Sequence, residues 1–121
     1  MSLRVVVRDT VACLQELSAD GRWIITNVGG SGKLETGVYE LDAAIDALPE
    51  HAYVGLLLLL TSDFVYQLMP DHRIVRHSCG PVAKPPATGD LCVVTYEQGK
   101  ATVGGKAPAG SKAVRGRSRA A

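Results

Sequence analysis

The residues best suited to chemistry are His51, His72, His77 and Cys79. His77 and Cys79 are two positions apart, so on an extended strand they face one side and could offer an imidazole nitrogen and a thiolate to one zinc ion. A fourth ligand at ordinary spacing is missing, and His72 falls in the turn-like Pro70-Asp71-His72. The plainer reading is a surface histidine, a strand-end histidine and a buried thiol. A Cys-His nucleophile pair would need a low-pKa thiolate and an oriented base, whereas Cys13 and Cys92 sit inside apolar runs, where a thiol packs as a small hydrophobe. The string Gly29-Gly30-Ser31-Gly32-Lys33 has the look of a phosphate loop, but Leu34 stands where Ser or Thr should follow the lysine, and no helix start follows. No catalytic residue, metal or cofactor is assigned.

Polar residues that recur are more informative. Gln15 and Gln67 lie 52 positions apart, as do Thr36 and Thr88, and Gly37 and Gly89; Asp20-Gly21-Arg22 is answered by Asp71-His72-Arg73 at an offset of 51. A repeat of this length marks a duplicated supersecondary unit. A glutamine at a duplicated strand end either hydrogen-bonds neighbouring backbone where the strand bends or meets a ligand. Tyr66, Tyr96 and Phe64 are candidates for an exposed stacking face.

The elements that must position these residues are short. Residues 3–7 and 11–16 are apolar or β-branched runs around Arg8-Asp9-Thr10, which reads as a hairpin. Trp23 and two isoleucines favour extended backbone over 22–28, and 37–41 makes a brief strand. Asp42 is a good N-cap, Leu41, Ile45 and Leu48 share a helical face, and Pro49 ends the pattern, so a helix is expected over about 42–48. Strands resume at 53–60, 64–68 and 73–77. The run at 53–60 is far too short for the ~20 residues a membrane helix requires, so no membrane partner is expected. An irregular stretch from 78 to 89 contains Gly80-Pro81 and Pro85-Pro86, and a hairpin of 91–96 with 100–103 closes the body. The fold class expected is mainly β: a small, strongly bent barrel of the Src-homology or oligonucleotide-binding type. It would form one domain over 1–103, from half-repeats at about 3–41 and 53–103.

The charges are unevenly placed. Up to Gln98 there are seven basic and twelve acidic residues, a formal −5, and the remaining six basic residues follow with no acid among them. From Gly104 the composition is Gly, Ala, Ser, Lys and Arg with little else, which predicts a disordered basic tail over 104–121. Its Lys106, Lys112, Arg115, Arg117 and Arg119 are candidates for binding nucleic acid. Three cysteines without Cys-x-x-Cys spacing, and a start that lacks an apolar signal core, point to a cytoplasmic location.

The string Leu34-Glu35-Thr36-Gly37-Val38-Tyr39-Glu40-Leu41, then Gly55 with the apolar run after it, Phe64-Val65-Tyr66-Gln67, Ile74-Val75-Arg76-His77, Gly89 and Val94-Thr95-Tyr96-Glu97-Gln98-Gly99-Lys100-Ala101-Thr102-Val103 resembles the KfrB proteins of broad-host-range plasmids and related mobile elements. The resemblance spans about residues 3–103. It implies a small cytoplasmic accessory protein of stable plasmid inheritance, encoded with a coiled-coil DNA-binding protein partner, and similar domains are attached to larger DNA-processing proteins. It brings no catalytic residues. The candidate partner-binding positions are Tyr66, Gln67, His77 and Tyr96. Docking onto a protein encoded on the same element is the expected role, with nucleic-acid binding through the tail and a barrel face as the rival.

Overall fold

The computed structural model describes residues 2–49, 51–80, 82 and 85–104. Among the described residues ten strands form two sheets. The first contains β1 (Leu3–Arg8), β2 (Val11–Leu17), β3 (Trp23–Gly30) and β4 (Gly37–Glu40) in the order β3-β2-β1-β4. The second contains β5 (Ile45–Asp46), β6 (Tyr53–Leu60), β7 (Phe64–Leu68), β8 (Ile74–Ser78), β9 (Leu91–Glu97) and β10 (Lys100–Gly104), ordered β10-β9-β6-β7-β8-β5.

The repeat is written into this topology. Strands β8-β7-β6-β9 follow the same path as β3-β2-β1-β4: an antiparallel meander whose fourth strand returns beside the first. The turns match in detail. Ser18 N–H donates to Arg22 O at 2.8 Å and Met69 N–H to Arg73 O at 2.8 Å. Arg22 Nε meets Asp20 Oδ2 at 3.1 Å, and Arg73 Nε meets Asp71 Oδ2 at 2.7 Å. Both turns need a left-handed residue, Gly21 at φ 86° and His72 at φ 70°. The β1-β2 and β9-β10 hairpins are two-residue turns with both central residues at positive φ: Asp9 at 53° and Thr10 at 63°, Gln98 at 53° and Gly99 at 80°. That geometry matches the right-handed twist of the strands they join.

The two halves share one apolar core. Val5, Val7, Ala12, Leu34 and Leu41 meet Leu58, Tyr66, Leu68 and Ile74. A bulge in β6 between Leu57 and Leu59 lets Leu56, Leu58 and Leu59 all serve this core, while Leu57 and Leu60 serve a second cluster on the far side of the sheet. The connecting loops of the two halves cross at glycines. A Cβ on Gly89 would lie 1.9 Å from Ser31 O and one on Gly32 would lie 2.7 Å from Gly89 C. Lys33 N–H donates to Gly89 O at 3.0 Å across this crossing. The glycine-rich string is thus a structural junction, with Ser31 2% exposed.

Two expectations are corrected. The segment expected to be a helix over 42–48 makes a single 3₁₀ turn, Leu41–Ala43, after which Ala44 is extended and Ile45–Asp46 pairs in parallel with Val75 and Arg76. Seven residues are too few to sustain an isolated helix, and β8 offers open backbone partners; Asp46 then pairs with Arg76 at 2.7 Å. Nor is there a closed barrel. The six-stranded sheet curls until β8 and β9, which are not neighbours, touch through their side chains, yet no ladder among the described residues joins β10 to β8. β5 already holds the edge through which β8 would have to pair. The predicted tail lies outside the described residues apart from Gly104, which ends β10.

Candidate interaction site

Inside the curl of the second sheet lies a polar chain built from three strands. Gln67, 0% exposed, stands on β7, and its amide Nε2 donates across β6 to Cys92 O on β9 at 2.9 Å and to Tyr53 O at 3.3 Å. Gly55 makes that crossing passable, since a Cβ there would lie 2.4 Å from Leu68 O and 3.1 Å from Gln67 Cγ. With its NH2 committed to carbonyls, Gln67 presents Oε1 to His77 Nε2 at 2.9 Å. That requires His77 to carry its proton on Nε2, so Nδ1 accepts from the Tyr96 hydroxyl at 2.6 Å. The ring of Tyr53 packs edge-on against His77, centroids 5.0 Å apart. Burial lowers the His77 pKa to about 4, and it raises the Tyr96 hydroxyl above its usual range and Cys92 to about 11. At neutral pH the chain is uncharged and its buried polar atoms have partners, the arrangement that lets polar groups lie in a core without penalty.

Three of the four candidate positions, Gln67, His77 and Tyr96, are thereby brought together. Tyr66 is not among them: adjacent strand residues face opposite sides, and Tyr66 lies in the core between the sheets at 8% exposure. His77 uses both ring nitrogens within the protein, and the Cys79 Sγ lies 3.3 Å from Gly80 O. His72 is in the turn after β7 and His51 precedes β6, so these residues do not converge on one point. Among the described residues no three His, Cys, Asp or Glu side chains are placed to hold a metal. The basic candidates Lys106, Lys112, Arg115, Arg117 and Arg119 lie outside the described residues.

What the sequence reading missed is the outer face of the first sheet, the counterpart of the face that carries Gln67. Cross-strand register places Val38, Val6, Cys13 and Val28 in one row over β4, β1, β2 and β3. Beside it run Glu40, Arg4, Gln15 and Ile25. Gln15 here accepts from Arg4 Nε at 2.8 Å, and the Arg4 guanidinium lies 3.9 Å over the Trp23 ring. Among the described residues no strand covers this row: Val28 is 58% exposed, Ile25 55% and Val38 54%. No local signal marks it: 23–28 reads Trp-Ile-Ile-Thr-Asn-Val without apolar–polar alternation, and exposure of the row depends on what packs over the outer face of the sheet.

Residues 52–104, from just before β6 to the end of β10, match the family model described as KfrB Domain. The match thus falls on the second half, narrower than the span 3–103 over which the resemblance was read. Protein TraB of Escherichia coli is 32% identical over 90 residues, which cover 72% of this chain and 61% of TraB. The chain therefore spans less than two thirds of the length of that curated relative. Among the described residues no helix is long and apolar enough to cross a membrane.

Proposed function

We propose, from the KfrB domain that residues 52–104 carry, that this chain is a non-catalytic accessory module of plasmid maintenance or DNA processing in the cytoplasm, which docks onto a protein encoded on the same element. The observation that supports this reading most is the contrast between its two equivalent faces. The face within the KfrB domain is filled by its own Gln67, His77 and Tyr96 with the apolar residues around them. The corresponding face of the first sheet holds a bare apolar row ending in Val28 and Val38, the kind of surface a partner protein covers.

Titrating purified products of the adjacent genes against the wild type and against Val28→Lys combined with Val38→Lys tests the reading. Binding that survives added salt and is lost in the double variant supports it. The rival is binding of nucleic acid by Lys106, Lys112, Arg115, Arg117 and Arg119. It predicts instead affinity for duplex or single-stranded DNA that falls steeply between two salt concentrations and disappears when residues 105–121 are removed.

A further inference from the structure

Strand β3 is an unusual edge. Its eight residues, Trp-Ile-Ile-Thr-Asn-Val-Gly-Gly, contain no charge; one side of its backbone pairs with β2, and on the other no strand of the described chain pairs, the Val28 N–H there donating only to the adjacent Asn27 Oδ1 at 2.9 Å. Proteins ordinarily guard such an edge with a charge, a proline or a covering segment. The other sheet-end strands follow that rule: β10 begins with Lys100, β4 is four residues long and ends in Glu40, and β5, which covers β8, the strand equivalent to β3, is two residues long and ends in Asp46.

Its two glycines sharpen the question. Gly29 and Gly30 are the last two residues of the strand, and a Cβ on either would meet nothing within 4 Å. A glycine offers no side chain to pack across a sheet, and intramolecular crowding gives no reason for it at these positions. A close neighbour from outside would give one.

We propose that β3 pairs antiparallel with β3 of a second copy of this chain, joining the two four-stranded sheets into one across a two-fold axis. Centred between Thr26 and Asn27, that register sets Ile25 opposite Val28 on the outer face and seats Ile24 and Trp23 over Gly29 and Gly30 of the other copy. Every large side chain then meets a smaller one or a glycine, twice over by symmetry. The strand's lack of charge suits a two-fold, where like charges would otherwise be brought close. The bulge opposite Leu14 and Gln15 falls at the centre of the register on both strands, so the flanking pairs stay in step. The pairing shares Val28 with the docking row above but uses the edge of β3 and leaves the Val38 end of that row free for another protein, so Val38→Lys separates the two readings.

Sedimentation velocity on the full chain over a concentration series, together with emission from Trp23, the only tryptophan, tests it. An edge pairing lies at the small end of stable interfaces, so a dimer dissociating on the order of 1–100 µM is expected. The Trp23 emission should move to the blue as the dimer forms. Ile25→Lys and Val28→Lys, each at an exposed position and checked for folding by circular dichroism, should each weaken association about tenfold or more. Val38→Lys, equally exposed but three strands away, should leave it unchanged. A chain that stays monomeric to several times ~100 µM overturns the proposal. So does a dimer that ignores both edge substitutions, or one that Val38→Lys dissolves equally well.

Discussion

The two halves of this molecule are copies of one four-stranded unit that have met different ends. In the second half the unit is extended by β10 and capped by β5, the sheet curls, and the glutamine at its bend is fully enclosed. In the first half the same unit keeps its plain four strands, and its glutamine lies on the outer face beside an arginine. Each pairs its inner face with the other's, so the shared core accounts for one side of each sheet only. The lesson is that enclosure comes from the extra strands and the polar chain, not from the repeated unit itself.

The contrast can be broken most severely at Gly55. A methyl group there collides with Leu68 O and Gln67 Cγ, so Gly55→Ala should cost about 3–4 kcal/mol or prevent folding. Gly37, which opens β4 in the first half and has open space around it, should accept Ala with a loss under about 1 kcal/mol. Chemical denaturation of the two variants measures the difference.

Acid gives the next largest effect. His77 has a folded pKa of about 4 against an ordinary 6.5, so between those values the unfolded chain binds a proton that the folded chain refuses. Stability is full above pH 6.5 and falls as pH drops toward 4, by on the order of 2–3 kcal/mol. Denaturation midpoints across this window should decline in the wild type and decline less in His77→Leu, whatever that variant's own starting stability.

The paired glutamines offer a smaller test. Gln67→Leu strands the His77 Nε2–H and the Cys92 carbonyl in the core and should cost about 2 kcal/mol. Gln15→Leu gives up one part-buried hydrogen bond from Arg4 and should change stability by less than about 1 kcal/mol. Equal losses at the two positions would show that the halves are not differently enclosed.

Much of this architecture is legible in the amino-acid sequence. Strand positions followed from β-branched and aromatic runs, and the offset of Gln15 from Gln67 correctly announced two equivalent units. Of the two readings open for those glutamines, backbone hydrogen bonding holds for Gln67, while Gln15 uses a side chain instead. The failures have physical causes. A cap and a three-residue apolar spacing favour a helix at 42–48 only locally, and the β8 edge offered that segment backbone bonds a one-turn helix lacks. Gly29 and Gly30 fall outside the extended segment expected over 22–28 because glycine is poor in strands, yet both extend β3. Tyr66 was grouped with Gln67 although strand parity sends neighbours to opposite faces. The exposed row on the first sheet spans all four strands, and whether anything packs over that face is a fact of tertiary arrangement that no local pattern carries.

Amide hydrogen exchange resolved along β3 and β8, at two protein concentrations, reaches the heart of the matter. The account predicts strong protection of Ile74–Ser78 at both concentrations, and weak protection of the unpaired amides in Trp23–Gly30 that rises when the protein is concentrated. Equal protection of both strands in dilute solution, or unpaired β3 amides that stay fast at the highest concentration, would contradict it.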